Sequence, residues 1–481
     1  MVLDDLEPRS VFHFFEELCA IPHGSGNTKA ISDYCVRFAE ARGLEHYQDE
    51  LNDVIIIAPA APGYEDAAPI IIQGHLDMVC ATAADCSKDM TKEGLELFVD
   101  GDFVGAKGTT LGGDDGIAVA MALAILDDPA LPRPRVEAVF TVDEETGMFG
   151  ANGLDVSHLT GRTMLNIDSE DEGVFTVSCA GGARVKLLWN VAREPVSALP
   201  LTLTVSGLAG GHSGVEIDKG RANANILMGR LLRELRKRCS LRLVRVQGGT
   251  ADNAIPFACT AEVTVAPEDA DAVLAVAENL NSVFRSEFAS GDPEIEVSAA
   301  LERETTVNAV SADDTKRIID ALTLVPNGIQ AMSRVIPGLP ETSLNLGILS
   351  LTDDAAKLTF SVRSSVSSRK RMIIDKLCCI AEVCGAEAEV NGEYPAWEYK
   401  ADSPLRERMV RVFTEQYGKA PEVVAIHAGL ECGILSEKLP GLDCVSFGPD
   451  LLDIHTASER MSVPSVQRVW RFLLEVLKES K

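Results

Sequence analysis

The stretch PIIIQGHLD (residues 69–77) decides the fold class. Its run of isoleucines predicts a strand. Two further apolar runs, at 135–145 and 163–168, also end in polar and acidic residues. Between the first two runs lies an alanine-rich segment, DGIAVAMALAILD (115–127), which reads as a buried helix. This alternation predicts an α/β sheet with helices on both faces.

The pattern changes near residue 186. Strands such as LPLTLTVSGL (199–208) alternate apolar and polar residues, and predicted helices at 220–238 and 268–287 separate them. These βαβ units suggest a repeat within an inserted α+β domain. Helices are also expected at 11–19, 29–42, 403–417 and 463–479. We therefore expect a catalytic domain in two parts with an inserted domain between them: residues 1–185 and 386–481 around 186–385.

Composition excludes several classes of protein. The chain has 481 residues, of which 46% are hydrophobic, so it can bury a large core in more than one domain. A net charge of -29 argues against nucleic acid or an anionic membrane as the partner, and it allows cation binding. No 18-residue apolar run and no signal-like N-terminus occur, so we expect no membrane span. Twelve cysteines without a secretory signal predict a reduced, cytoplasmic chain.

Residues of metal-binding types gather at the predicted strand ends, where open α/β sheets bind their ligands. His75 and Asp77 lie two residues apart and share a face, which fits a metal ligand with an orienting carboxylate. Taken singly, each candidate is explained equally well as a helix cap, a turn acid or a surface histidine. Taken together, they indicate a metal centre. The remaining candidates are Asp114 and Asp115 in a glycine-rich turn, Glu144, Glu145, Asp168 and His455.

Two divalent cations suit this set of residues. Two metal ions about 3.5–4 Å apart share a bridging carboxylate, and zinc accepts histidine nitrogen and carboxylate oxygen. Co²⁺ and Mn²⁺ suit the same ligands. Five ligands, with one carboxylate left as a general base, match the count. Strand geometry alone leaves open which of Glu144 and Glu145 is the base. The five ligand candidates are His75, Asp114, Glu145, Asp168 and His455.

Several motifs resemble the M20 metallopeptidases, and among them the aminoacyl-histidine (Xaa-His) dipeptidases, also called cytosol non-specific dipeptidases. The resemblance runs in order from about residue 12 to residue 475. SCAGG (178–182) and HAGLECG (427–433) point to this subfamily. The other motifs are GHLDMV, TTLGGDDGIA, DEETGMFGA, NIDSEDEG, GGHSG, GRANAN and HTASERM. The resemblance implies an M20-like architecture, with the inserted domain as a lid or dimerisation domain, and a homodimer.

The resemblance also implies a role for each site residue. His75 and His455 would each bind one metal ion, Asp114 would bridge the two ions, and Glu145 and Asp168 would complete the ligand shells. Asp77 would orient His75, and Glu144 would be the general base and later the acid. A cis peptide is expected between Asp114 and Asp115. The family usually reads LGADNG where this chain reads LGGDDG (111–116). The extra carboxylate of Asp115 would either tighten metal binding or shift the preferred metal.

Substrate-binding candidates are also carried over from the family. His212 in GGHSG resembles a histidine that polarises the scissile carbonyl, in some members across a dimer. Asn253 and Arg363 resemble residues that hold polar groups of the substrate, and an arginine fork suits a free carboxylate. His427 and Glu431 are further pocket candidates. Without the resemblance, a glycine-rich turn, a turn amide, a solvated strand charge and a helix N-terminus would explain these residues.

The predicted function is a metal-dependent dipeptidase whose small peptide substrates include Xaa-His. An alternative is another M20 hydrolase, either a tripeptidase or an N-acyl amino acid deacylase. A non-catalytic metal-binding protein with the same fold is a third hypothesis. A serine or cysteine hydrolase is not favoured, because no G-x-S-x-G elbow and no clear Cys-His arrangement occur. Asp143 has no role that the sequence explains.

Overall fold

A computed structural model describes residues 2–481 and divides the chain into two compact units. The first unit comprises Met1–Ser178, Tyr399–Ala425 and Leu430–Lys481, and the second comprises Cys179–Glu398 and Ile426–Gly429. The sequence pattern placed the borders at 185/186 and 385/386. In the structure the second unit begins earlier, at Cys179, and its long segment ends later, at Glu398. The reason is that the backbone of Cys179 pairs with Trp397, and the N–H of Ala180 donates to the carbonyls of Ile426 and Ala428.

The first unit begins with alternating helices and strands. In chain order these are α1 (Arg9–Cys19), α2 (Lys29–Arg42), β1 (Glu45–Gln48), β2 (Val54–Ala58), β3 (Ile70–His75), β4 (Leu97–Asp100), β5 (Phe103–Ala106), α3 (Gly113–Asp127), β6 (Val136–Thr141), α4 (Phe149–Gly153), β7 (Thr163–Asn166) and β8 (Val174–Cys179).

The second unit follows. Its elements are β9 (Gly181–Asn190), β10 (Arg193–Ser206), β11 (Gly211–His212), α5 (Ala224–Arg236), β12 (Arg242–Gly248), β13 (Ala254–Ile255), β14 (Cys259–Val265), α6 (Ala270–Glu287), β15 (Glu296–Leu301), β16 (Thr305–Val310), α7 (Ala312–Leu324), β17 (Gly328–Met332), β18 (Pro340–Leu351), β19 (Ala355–Ser364), α8 (Ser367–Cys384) and β20 (Glu387–Tyr394).

The chain then returns to the first unit. The last elements are α9 (Pro404–Tyr417), β21 (Glu422–Ile426), α10 (Glu431–Lys438), β22 (Asp443–Ser446), β23 (Leu451–Leu452), β24 (Arg460–Ser462) and α11 (Val463–Lys478). No helix among residues 2–481 is long and apolar enough to cross a membrane.

The main sheet of the first unit has the strand order β1-β2-β6-β3-β7-β22-β8-β21. Strand β3 lies between β6 and β7 and pairs in parallel with both. Every residue of β2, β3 and β6 is buried, so both faces of the sheet are covered, as expected for a sheet with helices on both faces. Because these parallel strands run in the same direction, the carboxyl ends of β3, β6 and β7 meet at one edge of the sheet.

The second unit is built on a repeat. Strands β10, β12, β14 and β15, with helices α5 and α6, form a βαββαβ half whose strand order is β15-β10-β14-β12. Strands β9, β18, β19 and β20, with α7 and α8, form a second half in the matching order β20-β9-β19-β18. The two halves join where β12 pairs with β18. The suggested repeat of βαβ units is therefore confirmed.

One predicted helix starts later than its sequence pattern suggested. Helix α5 begins at Ala224 rather than at residue 220. The side chain of Asn223 accepts hydrogen bonds from the backbone N–H groups of Asn225 and Ile226. This N-cap satisfies groups that have no partner inside a helix, and it fixes the first turn.

Candidate active site

The carboxyl edge of the first sheet collects the predicted metal ligands. His75 is the last residue of β3, Glu144 and Glu145 follow β6, and Asp168 follows β7. Asp114 lies in the first turn of α3, and its peptide bond to Asp115 is cis, as the resemblance implied. His455 lies between β23 and β24 with a positive φ of 62°. Residues separated by up to 380 positions thus meet at one edge.

Asp114 lies at the centre of this group. Its Oδ1 is 3.1 Å from Nε2 of His75, and its Oδ2 is 3.2 Å from Nε2 of His455. On the first side, His75 Nε2 is 3.9 Å from Oδ1 of Asp168. On the second side, His455 Nε2 is 2.8 Å from Oε1 of Glu145. We call these two groups the His75 half and the His455 half of the site, with Asp114 common to both.

The donor set of this site fits divalent cations. Ligand atoms of His75, Asp114 and Glu145 all lie within 4.8 Å of one another, as do those of His75, Asp115 and Asp168. Hydrogen bonds to Asp114 and Glu145 raise the pKa of His455 to about 10. Burial opposes ionisation of Asp114, but the two histidines outweigh it and lower its pKa. Without metal ions, protons on the imidazoles therefore offset the negative charge of the carboxylates. Bound metal ions would replace these protons.

His75 is held with Nε2 facing Asp114. Its Nδ1 donates to the backbone carbonyl of Asp77 at 2.9 Å, and the Asp77 carboxylate lies at 3.5 Å. A donor at Nδ1 leaves Nε2 free to bind a metal ion. The preceding Gly74 has no room for a side chain, because a Cβ there would be 2.6 Å from Oδ2 of Asp115.

Asp115 occupies the position where the family usually has asparagine. Its side chain is buried, and its Oδ2 accepts a hydrogen bond from the backbone N–H of His75 at 3.2 Å. Burial raises the pKa of Asp115, and the charge of Asp168 raises it further. One oxygen of Asp115 is therefore committed to the end of strand β3, a bond that an asparagine oxygen would also accept.

Three aspartates hold the acidic segment that follows β6. Asp77 Oδ1 accepts from the backbone N–H of Glu144 at 3.1 Å, and Asp53 Oδ1 accepts from that of Val142 at 2.9 Å. Asp143, whose φ is 54°, accepts from the backbone N–H of Gly26 at 2.6 Å. The structure thus explains Asp143 as an anchor for the segment. Asp53 was missed because a lone acid before an apolar strand carries no distinctive pattern.

Burial raises the pKa of Glu144 to about 8, and the charges of Glu431 and Glu145 raise it while His75 lowers it. Burial also raises the pKa of Asp168. A carboxyl group that exchanges a proton near neutral pH suits general acid-base chemistry. Glu144 differs from Glu145 in another respect, since Glu145 lies against His455. This contact supports the assignment of Glu144 as the base and Glu145 as the ligand.

Asp53 makes the stability of the first unit depend on pH. Burial raises its pKa from an ordinary value of 3.8 to about 8, and its Oδ2 is buried without a hydrogen bond. The folded state therefore holds the proton more tightly than the unfolded chain, so stability falls as the pH rises from about 4 to about 8. The penalty has an upper bound on the order of 6 kcal/mol, at 1.36 kcal/mol per pKa unit.

We expect Asp53→Asn to remove this loss of stability. The amide cannot ionise, and its oxygen can still accept from Val142. Urea unfolding of native and variant protein at pH 5 and pH 8.5, with a chelator present throughout, measures the difference. The free energy of unfolding should fall less between the two pH values in the variant. An unchanged dependence on pH would contradict the expectation.

The second unit brings four of the predicted substrate residues together. Burial and the charge of Arg363 lower the pKa of His427 to about 4, and the same causes lower the pKa of His212. His427 Nε2 lies 2.7 Å from Oγ of Ser343. The backbone carbonyl of the exposed Asn253 accepts from Ser213, next to His212, at 2.8 Å.

Arg363 is a cation without a carboxylate partner among residues 2–481. Its Nη1 donates to the hydroxyl of Tyr394 at 3.2 Å, and its buried Nε makes no hydrogen bond. The two histidines near it are held neutral and do not offset its charge. Such a guanidinium, with free donors, is suited to an anionic ligand group.

Glu431 is the remaining predicted substrate residue. Its side chain belongs to the first unit and is 0% exposed. One carboxylate oxygen accepts from Nε2 of Gln73 at 2.6 Å and from Oγ1 of Thr141 at 2.6 Å. The structure thus places Glu431 in the interior, against β3 and β6, rather than on an open pocket wall. The cause is local, because α10 starts at Glu431 and its first residues are buried.

Comparisons with known proteins show which proteins this chain resembles. Residues 203–292, within the second unit, match the family model described as peptidase dimerisation domain. The chain is 36% identical to the cytosol non-specific dipeptidase of Escherichia coli (strain K12), over 99% of each chain. It is 34% identical to the aminoacylhistidine dipeptidase of Vibrio alginolyticus, whose crystal structure superposes with a TM-score of 0.94 over 99% of this chain and 97% of that one.

A more distant structure shares the fold alone. The tripeptidase of Staphylococcus aureus is 15% identical, with a TM-score of 0.56 over 99% of both chains. The identity to the Escherichia coli protein over nearly the full length decides the family. This chain belongs to the M20 family of metallopeptidases, in the group of the aminoacyl-histidine and cytosol non-specific dipeptidases. It is therefore a metal-dependent hydrolase.

Proposed function

We propose that the protein hydrolyses dipeptides, including Xaa-His, at a centre of two divalent cations, most suitably Zn²⁺. The observation that carries the proposal is the position of Asp114, whose two carboxylate oxygens each face a different histidine. Asp114 would therefore be a ligand held in common by two divalent cations. Each half of the site also has one further carboxylate, from Asp168 or Glu145.

The chain's own residues supply the proton transfers. When bound, two divalent cations stabilise the charge that develops on the scissile carbonyl and make a water molecule acidic at neutral pH. Glu144 then accepts the proton of the attacking water and later donates it to the leaving amine. Asp77 holds both His75 and the backbone N–H of Glu144, so it keeps the ligand and the base in fixed relation.

Residues of the second unit have the chemistry to bind polar groups of a substrate. Arg363 suits the free carboxylate of a dipeptide, because its unpaired donors match that anion. Neutral His212 can donate one hydrogen bond to a carbonyl oxygen. The dipeptidase names of the two relatives support a dipeptide over a longer substrate. We further infer a homodimer, which the dimerisation-domain match supports, and sedimentation of the purified protein tests it. Cytoplasmic location stays a prediction.

A substrate panel tests the proposed specificity. Apoenzyme reloaded with Zn²⁺, Co²⁺ or Mn²⁺ is assayed on an Xaa-His dipeptide, an Xaa-Xaa dipeptide, a tripeptide and an N-acetyl amino acid. We expect the dipeptides to have the highest kcat/KM. A higher kcat/KM for the tripeptide or the acetylated substrate would replace dipeptidase by tripeptidase or deacylase activity. Absence of metal-dependent hydrolysis of every substrate would contradict the enzyme itself.

Arg363→Met should weaken binding of the dipeptide carboxylate. We expect KM to rise about 10–100-fold with a smaller change in kcat, because a charge-assisted pair is lost from the ground state and the transition state alike. A dipeptide amide is the matched control, since it lacks the carboxylate. Native enzyme should have a higher KM for the amide than for the dipeptide. Arg363→Met should not raise KM for the amide further. An equal loss for the variant on both substrates would show that Arg363 does not bind the carboxylate.

A further inference from the structure

Glu459 is a buried carboxylate that accepts four backbone hydrogen bonds. Its side chain is 4% exposed. One oxygen accepts from the N–H groups of Leu111 at 2.7 Å and Gly112 at 3.1 Å. The other oxygen accepts from Gly113 at 2.8 Å and Asp114 at 3.4 Å. The backbone of residues 111–114, which carries Asp114, therefore curves around the side chain of Glu459.

The glycines of LGGDDG make this wrapping possible. Gly112 has a φ of 67°, a conformation that residues with a Cβ rarely adopt. A Cβ on Gly113 would lie 3.2 Å from Oε1 of Glu459 and 3.1 Å from the side chain of Leu451. Successive N–H groups that point into one concavity form a site for an anion. In this chain the anion is an internal glutamate.

Glu459 also belongs to the segment that carries His455. Its backbone N–H donates to the carbonyl of Thr456 at 3.1 Å, which closes the turn directly after His455. The side chain and the backbone of one residue thus connect the segment of Asp114 with the segment of His455. The carboxylate of Asp114 and the imidazole of His455 approach to 3.2 Å at this junction.

We propose that Glu459 is a positioning residue that sets Asp114 relative to His455 and so controls binding of one of the two cations, the one in the His455 half. This inference rests on the proposed two-cation site. Glu459 is four residues from His455 in sequence, and the contacts described above join its carboxylate to backbone N–H groups. Its role is to fix geometry in the unloaded protein.

Glu459→Gln changes the contacts with almost no change in shape. A carboxylate only accepts hydrogen bonds, whereas the amide nitrogen of glutamine only donates them. Whichever way the amide is oriented, its NH₂ group faces two N–H donors, so two of the four bonds are lost. The backbone of residues 111–114 is then less well fixed, and Oδ2 of Asp114 no longer keeps its position relative to Nε2 of His455.

A matched control is available at Glu137. This glutamate is also fully buried in the first unit, and it accepts from the backbone N–H groups of Thr160 and Gly161. It is the second residue of β6, at the opposite end of the strand from the acidic segment. Glu137 also accepts from Nε of Arg135 and from the hydroxyl of Thr160, so Glu137→Gln disturbs at least as many buried contacts without touching the edge of the sheet that carries the site.

The experiment titrates metal-free native, Glu459→Gln, Glu137→Gln and His455→Ala proteins with Co²⁺, using calorimetry and visible absorption. Native protein and Glu137→Gln should bind two ions with the same affinities. Glu459→Gln should keep one ion at the native affinity and bind the other about 10–100-fold more weakly. The absorption spectrum of the retained ion should match that of His455→Ala. At saturating Co²⁺, KM for a dipeptide should stay within about twofold of native, because the carboxylate of Glu459 is buried and occupied by backbone N–H groups.

A metal-free measurement separates positioning from general destabilisation. Amide hydrogen exchange at 111–114 should be faster in Glu459→Gln than in native protein or Glu137→Gln. Two native affinities for Co²⁺, equal weakening of both ions, or unchanged exchange in Glu459→Gln would each overturn the inference. If native protein bound fewer than two ions, the proposed two-cation site would be contradicted. The inference on Glu459, which rests on that site, would then fail with it.

Discussion

Glu144→Gln is expected to lower kcat by about 10²–10⁴-fold while the protein still binds two cations. The amide keeps the size of the side chain but cannot accept a proton from water. Because Glu144 is not among the residues that contact the histidines, its loss should leave cation affinity near the native value. Steady-state kinetics on an Xaa-His dipeptide and metal analysis of the same preparation measure the two quantities together.

Glu145→Gln is the matched control, since the two glutamates are neighbours in sequence. Glu145 Oε1 lies 2.8 Å from Nε2 of His455, so its replacement should weaken cation binding in the His455 half. Activity of Glu145→Gln should recover in part with excess metal, whereas that of Glu144→Gln should not. The reverse pattern would show that the two roles are exchanged, which strand geometry alone left open. Near-native turnover of Glu144→Gln with metal bound would contradict the proposed mechanism.

Much of the first unit could be predicted because its signals are local. The apolar runs at 69–77, 135–145 and 163–168 predicted strands, and the structure confirms them as β3, β6 and β7. Parallel strands share one carboxyl edge, so acids and a histidine at several strand ends implied one site. The order of the family motifs predicted that Asp114 and His455 belong to the same site. No local pattern could have paired them across 340 intervening residues.

The sequence was less informative where a role depends on backbone geometry. Asp143 and Asp53 accept hydrogen bonds from backbone N–H groups of distant segments. The spacing of residues in the sequence does not reveal such contacts. Glu431 could be read as a pocket residue from the glycines around it, whereas helix α10 buries it against β3 and β6. Glycines 112 and 113 were recognised as a turn, but the glutamate that the turn encloses lies more than 340 residues away.

Asp114→Asn is expected to have the largest effect of any single substitution. An asparagine has one oxygen and one NH₂ group, so it can face one histidine half as an acceptor but presents N–H donors to the other. The bridge between the two halves is lost, and with it the charge that balances two divalent cations. We expect no more than one bound ion, and kcat below about one part in 10³ of native, because charge stabilisation and water activation both decline.

Asp115→Asn tests whether that effect belongs to the bridge or to acidity at this turn in general. The two residues are adjacent, each variant replaces one carboxyl group by an amide, and both side chains are largely buried. The asparagine oxygen can still accept from the backbone N–H of His75, as Asp115 Oδ2 does at 3.2 Å. We expect two bound ions and kcat within about threefold of native, since the asparagine keeps the contact that fixes the end of β3. If Asp115→Asn instead lost an ion as Asp114→Asn does, Asp115 would be a ligand, and the assignment of Asp114 as the sole carboxylate bridge would fail.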